Sequence, residues 1–161
     1  MDIYSVIKRT KQRYEDMDKK KTKEEKQAFV RDRREKREQC FAVLFEMTFS
    51  DESIDTILDK AVESRLIETD EFMMNILHCF EQNKSEIDSL IESNLKKWTL
   101  SRLSRTTRSI LRCAVAEVKA VKTPASIVIN ESVEIAKKYS TEQDAAFING
   151  VLGAMSRNGG I

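Results

Sequence analysis

The densest chemistry in this 161-residue chain is a run of charge, Arg31-Asp32-Arg33-Arg34-Glu35-Lys36-Arg37. Arg33 and Arg37 are four residues apart and share a helix face; Arg34 adjoins Arg33, and Arg37 follows it at i+3. Guanidinium forks spaced this way can grip consecutive phosphates through paired hydrogen bonds and lie flat against bases. Read without a ligand, the same run is a solvated face in which Asp32, Glu35 and Glu38 pair with the bases around them. Other catalytic residue types are sparse. The single histidine, His78, lies beside Leu77, Cys79 and Phe80, where a structural role is expected. Cys40, Cys79 and Cys113 are widely spaced within apolar patterns, as befits reduced core residues of a cytoplasmic protein. One histidine and no C-x-x-C pair give a zinc site no support. Gly150 and Gly153 fall inside a predicted helix and form no phosphate loop, and there is no G-x-S-x-G elbow. Carboxylates are interleaved with Lys and Arg, without a matched acid–base pair. The inventory points to a binding protein with no cofactor, not to an enzyme.

Charge is distributed unevenly. Residues 1–38 hold 14 Lys/Arg against 9 Asp/Glu, and residues 39–161 hold 14 against 18. A basic head on an acidic body suits a protein that offers one end to a polyanion, although a solvated, partly disordered tail would have the same composition. No apolar run reaches the length of a membrane span, and the N-terminus, charged from Lys8 onward, lacks the apolar stretch of a secretory signal.

The elements that must position the arginines are helical. One proline and four glycines are too few for a sandwich or barrel. Residues 1–30 form a basic extension, frayed helix or disordered, with one candidate turn at Ile3, Val6 and Ile7. From residue 31 a single helical domain is expected to run to residue 161. Cys40, Val43, Leu44 and Met47 recur at i, i+3, i+4 and i+7, and Phe41, Phe45 and Phe49 widen that stripe. Ser50 with Asp51 and Glu52 separates it from a short helix marked by Ile54, Ile57, Leu58 and Ala61. Thr69 opens a third helix and Ser85 a fourth. Trp98 sits in a break. Ile110, Leu111, Ala114, Val115 and Val118 line a fifth, which Thr123-Pro124 stops. Val128, Ile135, Ala136 and Tyr139 line a sixth, and Ser140 with Gln143 fits a capping box for a seventh. The prediction is all-α, about seven helices in a bundle.

Four blocks of this sequence resemble the NusB family of antitermination factors. They are Arg33-Arg34 with Arg37-Glu38 ahead of Leu44-Phe45; Trp98 followed by Arg108, Ile110-Leu111-Arg112 and Glu117; Val128-Ile129-Asn130-Glu131 through Ala136-Lys137-Lys138-Tyr139; and Phe147-Ile148-Asn149-Gly150-Val151-Leu152. They stand in the family's order over roughly residues 31–155. The resemblance implies two packed three-helix bundles entered by an arginine-rich helix. It implies a transcription antitermination factor that binds boxA-type single-stranded RNA of ribosomal leader transcripts, together with the small-subunit ribosomal protein NusE, within the RNA polymerase antitermination complex. Some members of the family self-associate through the partner's surface, so a homodimer is among the expected states.

On that reading Arg33, Arg34 and Arg37 face RNA phosphates. Tyr139 and Phe147 match aromatic positions beside the family's RNA groove, where unpaired bases stack, with core packing as the alternative role. Asp144 accepts hydrogen bonds from base edges, or is simply an acid favoured in a first helical turn. The glycine of Asn149-Gly150 is expected to permit close helix approach. Three departures stand out: a long segment before the arginines, Ala145-Ala146 where some members carry polar groups, and Thr107 where the family often places an acid facing the ribosomal partner. Two other readings fit the helices. One is a protein-interaction module whose arginines are ordinary surface. The other is a stand-alone relative of the NusB-like front domain of RNA methyltransferases.

Overall fold

A computed structural model of the protein describes residues 22–161. The turn expected at Ile3, Val6 and Ile7, and most of the basic extension, lie outside the described residues. Cα packing divides the chain into two units, Met1–Glu35 and Lys36–Ile161. Helix α1, Lys23–Glu46, contributes to both.

In the first unit α1 opens on a reciprocal cap. The Glu25 N–H donates to Thr22 Oγ1 at 3.2 Å, and the Thr22 N–H donates to the Glu25 carboxylate at 2.7 Å. Two donors that a helix start leaves over are satisfied this way. Residues 22–32 are all exposed, because this turn-by-turn mixture of Lys, Arg and Glu has no apolar stripe to bury.

In the second unit the described helices after α1 are α2 (Ile54–Glu63), α3 (Glu71–Gln82), α4 (Lys84–Ser93), α5 (Arg105–Val121), α6 (Ala125–Tyr139) and α7 (Glu142–Arg157). A short 3₁₀ turn, Leu100–Arg102, precedes α5. Side-chain caps fix most starts. Ser53, Asp70, Ser104 and Thr141 accept the N–H groups of Thr56, Met73, Thr107 and Asp144. Two expected caps fall one residue away, Asp70 in place of Thr69 and Thr141 in place of Ser140, and a third falls two away: α4 follows Asn83, without a side-chain cap, rather than Ser85. Neighbouring Ser, Thr and Asp residues carry equal capping oxygens, and only the extended backbone of the true cap separates them. Pro124 sits just before α6 as expected, after Lys122 ends α5 in the left-handed region at φ 61°. Gly159 takes φ 74° at the end of α7, and the N–H groups of Gly159 and Gly160 return to the carbonyls of Ser156 and Met155, closing the helix in the manner that favours glycine.

Helix α5 is the axis. Its middle, from Ser109 through Glu117, is buried on nearly every side except at Arg112, the pattern of a helix surrounded by others. It packs against α3 and α4 on the one hand and against α6 and α7 on the other. Each pair closes a three-helix cluster with it, so the two expected helical bundles share α5. Cys113, Ala114 and Ala116 are small enough to let neighbours approach. Phe80, Leu44, Ile76, Leu77, Leu111, Ile148 and Leu152 are sealed from solvent, each such side chain being worth about 1.5–3 kcal/mol of burial. Cys40 and Cys113 are buried and Cys79 half-buried, all as free thiols. His78 Nε2 lies 2.9 Å from Asp55 Oδ1, tying α3 to α2. Among the described residues, no helix is long and apolar enough to cross a membrane.

Candidate nucleic-acid interface

The arginines of α1 divide between two settings. In the first unit, Lys23, Lys26, Arg31 and Arg34 line one exposed face of the helix together with Gln27 and Val30. Spacings of three and four residues produce that face from the sequence alone. Arg34 is exposed and Arg33 half-buried; the Arg33 guanidinium stands 5.1 Å from the centre of the Phe29 ring, a cation–π distance.

Arg37 belongs to the second unit and does not join a cationic strip. It is buried, and so is its partner Glu117 on α5. Arg37 Nε donates to Glu117 Oε2 at 2.9 Å and Nη2 to Oε1 at 2.7 Å, a bidentate pair, with the Phe72 ring 5.5 Å from the guanidinium carbon. Burial alone would lower the Arg37 pKa, but the hydrogen bonds and charge of Glu117 leave it raised. Spacing puts Arg37 on the side of the apolar stripe, and packing against α5 buries it there. Arg37, Cys40, Phe41 and Leu44 stand at i, i+3, i+4 and i+7, so Arg37 is the first member of the buried stripe, not the last of the exposed one. The fork expected to grip a phosphate is engaged here by Glu117. Lys36, also buried, donates through Nζ to the Glu68 carbonyl.

One residue further on, α1 meets α6. Lys138 Nζ and Tyr139 Oη both donate to Glu38 Oε2, at 2.7 and 2.8 Å. The Tyr139 ring packs on Phe41 with centroids 5.3 Å apart, and Lys138 Nζ lies 5.2 Å from its centre. Tyr139 is nevertheless 47% exposed. Its hydroxyl is tied down and one side of its ring held, while the rest faces solvent. Burial pushes the Glu38 carboxyl up, but the hydrogen bonds from Lys138 and Tyr139 outweigh it and leave the pKa lowered. Glu38 in turn raises the pKa of the Tyr139 hydroxyl. Sequence reasoning singled out Tyr139 but missed Glu38 and Lys138, because only the tertiary fold brings residues a hundred positions apart together.

Asp144 and Tyr139 meet at the α6–α7 junction through Ser140, whose hydroxyl donates to the Asp144 carboxylate. The Asp144 N–H donates to Thr141 Oγ1 at 3.0 Å. Both of its roles, cap partner and acceptor, are engaged in holding this turn. Phe147 is half-buried against the core. Ala145 is buried and Ala146 exposed. Asn149 and Gly150 are exposed on α7, and a Cβ built on Gly150 would meet nothing within 4 Å. The expectation that Gly150 lets helices approach is thus corrected; its surroundings are open. Thr107 is buried, with its N–H donated to Ser104 Oγ, so it closes the cap of α5.

These features define a class: a small all-α protein with an exposed cationic helix face and a tethered aromatic side chain at a helix junction. The chain belongs to the NusB family, whose sequence model matches residues 34–157. A transcription antitermination protein NusB of Listeria monocytogenes is 40% identical over 121 residues, 74% of this chain and 92% of that protein. A T. maritima NusB structure shares 34% identity with a TM-score of 0.69, covering 78% of this chain and 90% of that one. A crystal structure of the antitermination factors NusB and NusE in complex with double-stranded RNA shares 30% identity with a TM-score of 0.71, covering 80% and 98%.

Proposed function

We propose that this protein is a cytoplasmic transcription antitermination factor that binds boxA-type single-stranded RNA of ribosomal leader transcripts together with NusE. It acts by binding and catalyses no reaction. The observation that carries this reading is the Tyr139 ring, held half-exposed by Glu38 and Phe41 beside Lys138, in a chain whose NusB relatives include one solved with NusE and RNA. A ring fixed before binding costs little ordering entropy when a base stacks on it, and such stacking contributes about 1–3 kcal/mol. Arg33 and Arg34 supply sequence-independent attraction for the phosphates. Phe147 on α7 widens the apolar ground, and Asp144 orients the turn that carries Tyr139. Arg37 acts on RNA only indirectly, by fixing α1 against α5. Bound RNA and NusE would then join the RNA polymerase antitermination complex.

Fluorescence anisotropy with labelled boxA RNA tests this reading. Affinity should fall when the RNA is scrambled and rise when purified NusE is added. Indifference to both changes would remove the antitermination reading and leave a helical protein-interaction module.

A further inference from the structure

A second cationic feature lies where the end of α1 meets α4 and α5. A cleft of about 380 Å³ is lined by Thr48, Ser50, Asp51, Lys84, Arg108 and Arg112, with Met47 and Phe49 at its edge. Three cations thus face one acid. Arg112 is already committed: it donates to both carboxylate oxygens of Asp88 at 2.8 Å. Arg108 is different. Among the described residues its Nε is buried without a hydrogen-bond partner, and so is the hydroxyl of Ser50. Burial first, and then Arg112, pull the Arg108 pKa down, with Arg105 acting in the same direction against the pull of Asp88. Arg105 is laid over the Phe49 ring at 4.3 Å, and Phe49 is 55% exposed.

A buried donor left without an acceptor costs about 1–3 kcal/mol, and more where the group is charged. Two such donors on one polar cleft, beside a lysine, form a set that lacks only its acceptor. We infer that this cleft binds a phosphate group, received by Arg108 Nε, the Ser50 hydroxyl and the Lys84 ammonium. A tetrahedral phosphate offers oxygens in several directions at once, whereas a carboxylate has two in a single plane. The volume admits a phosphate ester and not just the bare ion. The exposed Phe49 ring with its stacked Arg105 stands ready for whatever the ester carries. The inference neither uses Tyr139 nor depends on the RNA reading.

The test is isothermal titration calorimetry of the full chain with inorganic phosphate at constant ionic strength, alongside Arg108→Gln and Lys84→Gln. Saturable binding should weaken about tenfold or more in each variant, as loss of a charged hydrogen bond implies. Should one variant fail to fold, the other carries the comparison. Equal binding by wild type and variants overturns the inference. So does an equal response to acetate, which would mark the cleft as a seat for a protein carboxylate. The source of the phosphate is read from RNA titrations. Competition by inorganic phosphate, with weaker RNA binding by Arg108→Gln, bears the inference out with the RNA backbone as source. Phosphate binding with unchanged RNA affinity bears it out with a small phosphate compound as source.

Discussion

Arg37 and Tyr139 show how one fold assigns opposite roles to polar side chains. Arg37 is enclosed with Glu117, and removing one member of such a pair strands the other charge in the interior. Arg37→Ala should therefore lower the unfolding free energy by about 3–5 kcal/mol, measured by urea denaturation. A drop below about 1 kcal/mol would mean that water reaches Glu117. Glu38 is the titrating counterpart. Its folded pKa lies below the ordinary value of 4.5, so its stabilising contribution is present above that value and fades as pH falls through the folded pKa. Thermal midpoints recorded from about pH 6 down to about pH 3 should decline more steeply for the wild type than for Glu38→Gln. Parallel curves would show that the bonds to Lys138 and Tyr139 add nothing in solution.

At the scale of elements, α1 is the piece on which sequence and structure inform each other most. Its apolar stripe, Cys40 through Met47, was legible because a period of 3.6 residues leaves little choice of face. The Arg33–Arg34–Arg37 strip was legible only in part. Spacing places Arg33 and Arg37 on one side of the helix, but where exposure gives way to burial depends on α5, and Glu117 is eighty residues distant. The capping shifts at Asp70 and Thr141 have a local cause, since adjacent residues offer the same oxygen. The exposed turns of α1 carry their own prediction. Arg33→Ala with Arg34→Ala should weaken RNA binding similarly for boxA and scrambled RNA. The plot of log affinity against log salt should also flatten, by about 0.7 for each RNA phosphate that the protein no longer neutralises. An unchanged slope would make these arginines ordinary surface.

For the whole molecule, the fold class and element order followed from composition, proline placement and helical periodicity, and the four motif blocks pointed to the family that residues 34–157 match. The tether on Tyr139 was not legible, because Glu38 and Lys138 are joined by packing and not by proximity in sequence. Nor was the Arg108 cleft: sequence gives charge and spacing but not which donors lack acceptors. Gly150 shows the converse, a motif residue whose surroundings turn out to be open. The central claim is that a ring fixed before binding serves as a stacking platform for unpaired RNA. Its most direct measurement is the affinity of boxA RNA for Tyr139→Ala and Tyr139→Phe beside the wild type, with NusE present. Tyr139→Ala should weaken binding by about 1–3 kcal/mol, while Tyr139→Phe, which keeps the ring and its packing on Phe41, should retain most of the affinity. Equal affinity for all three proteins would contradict the account.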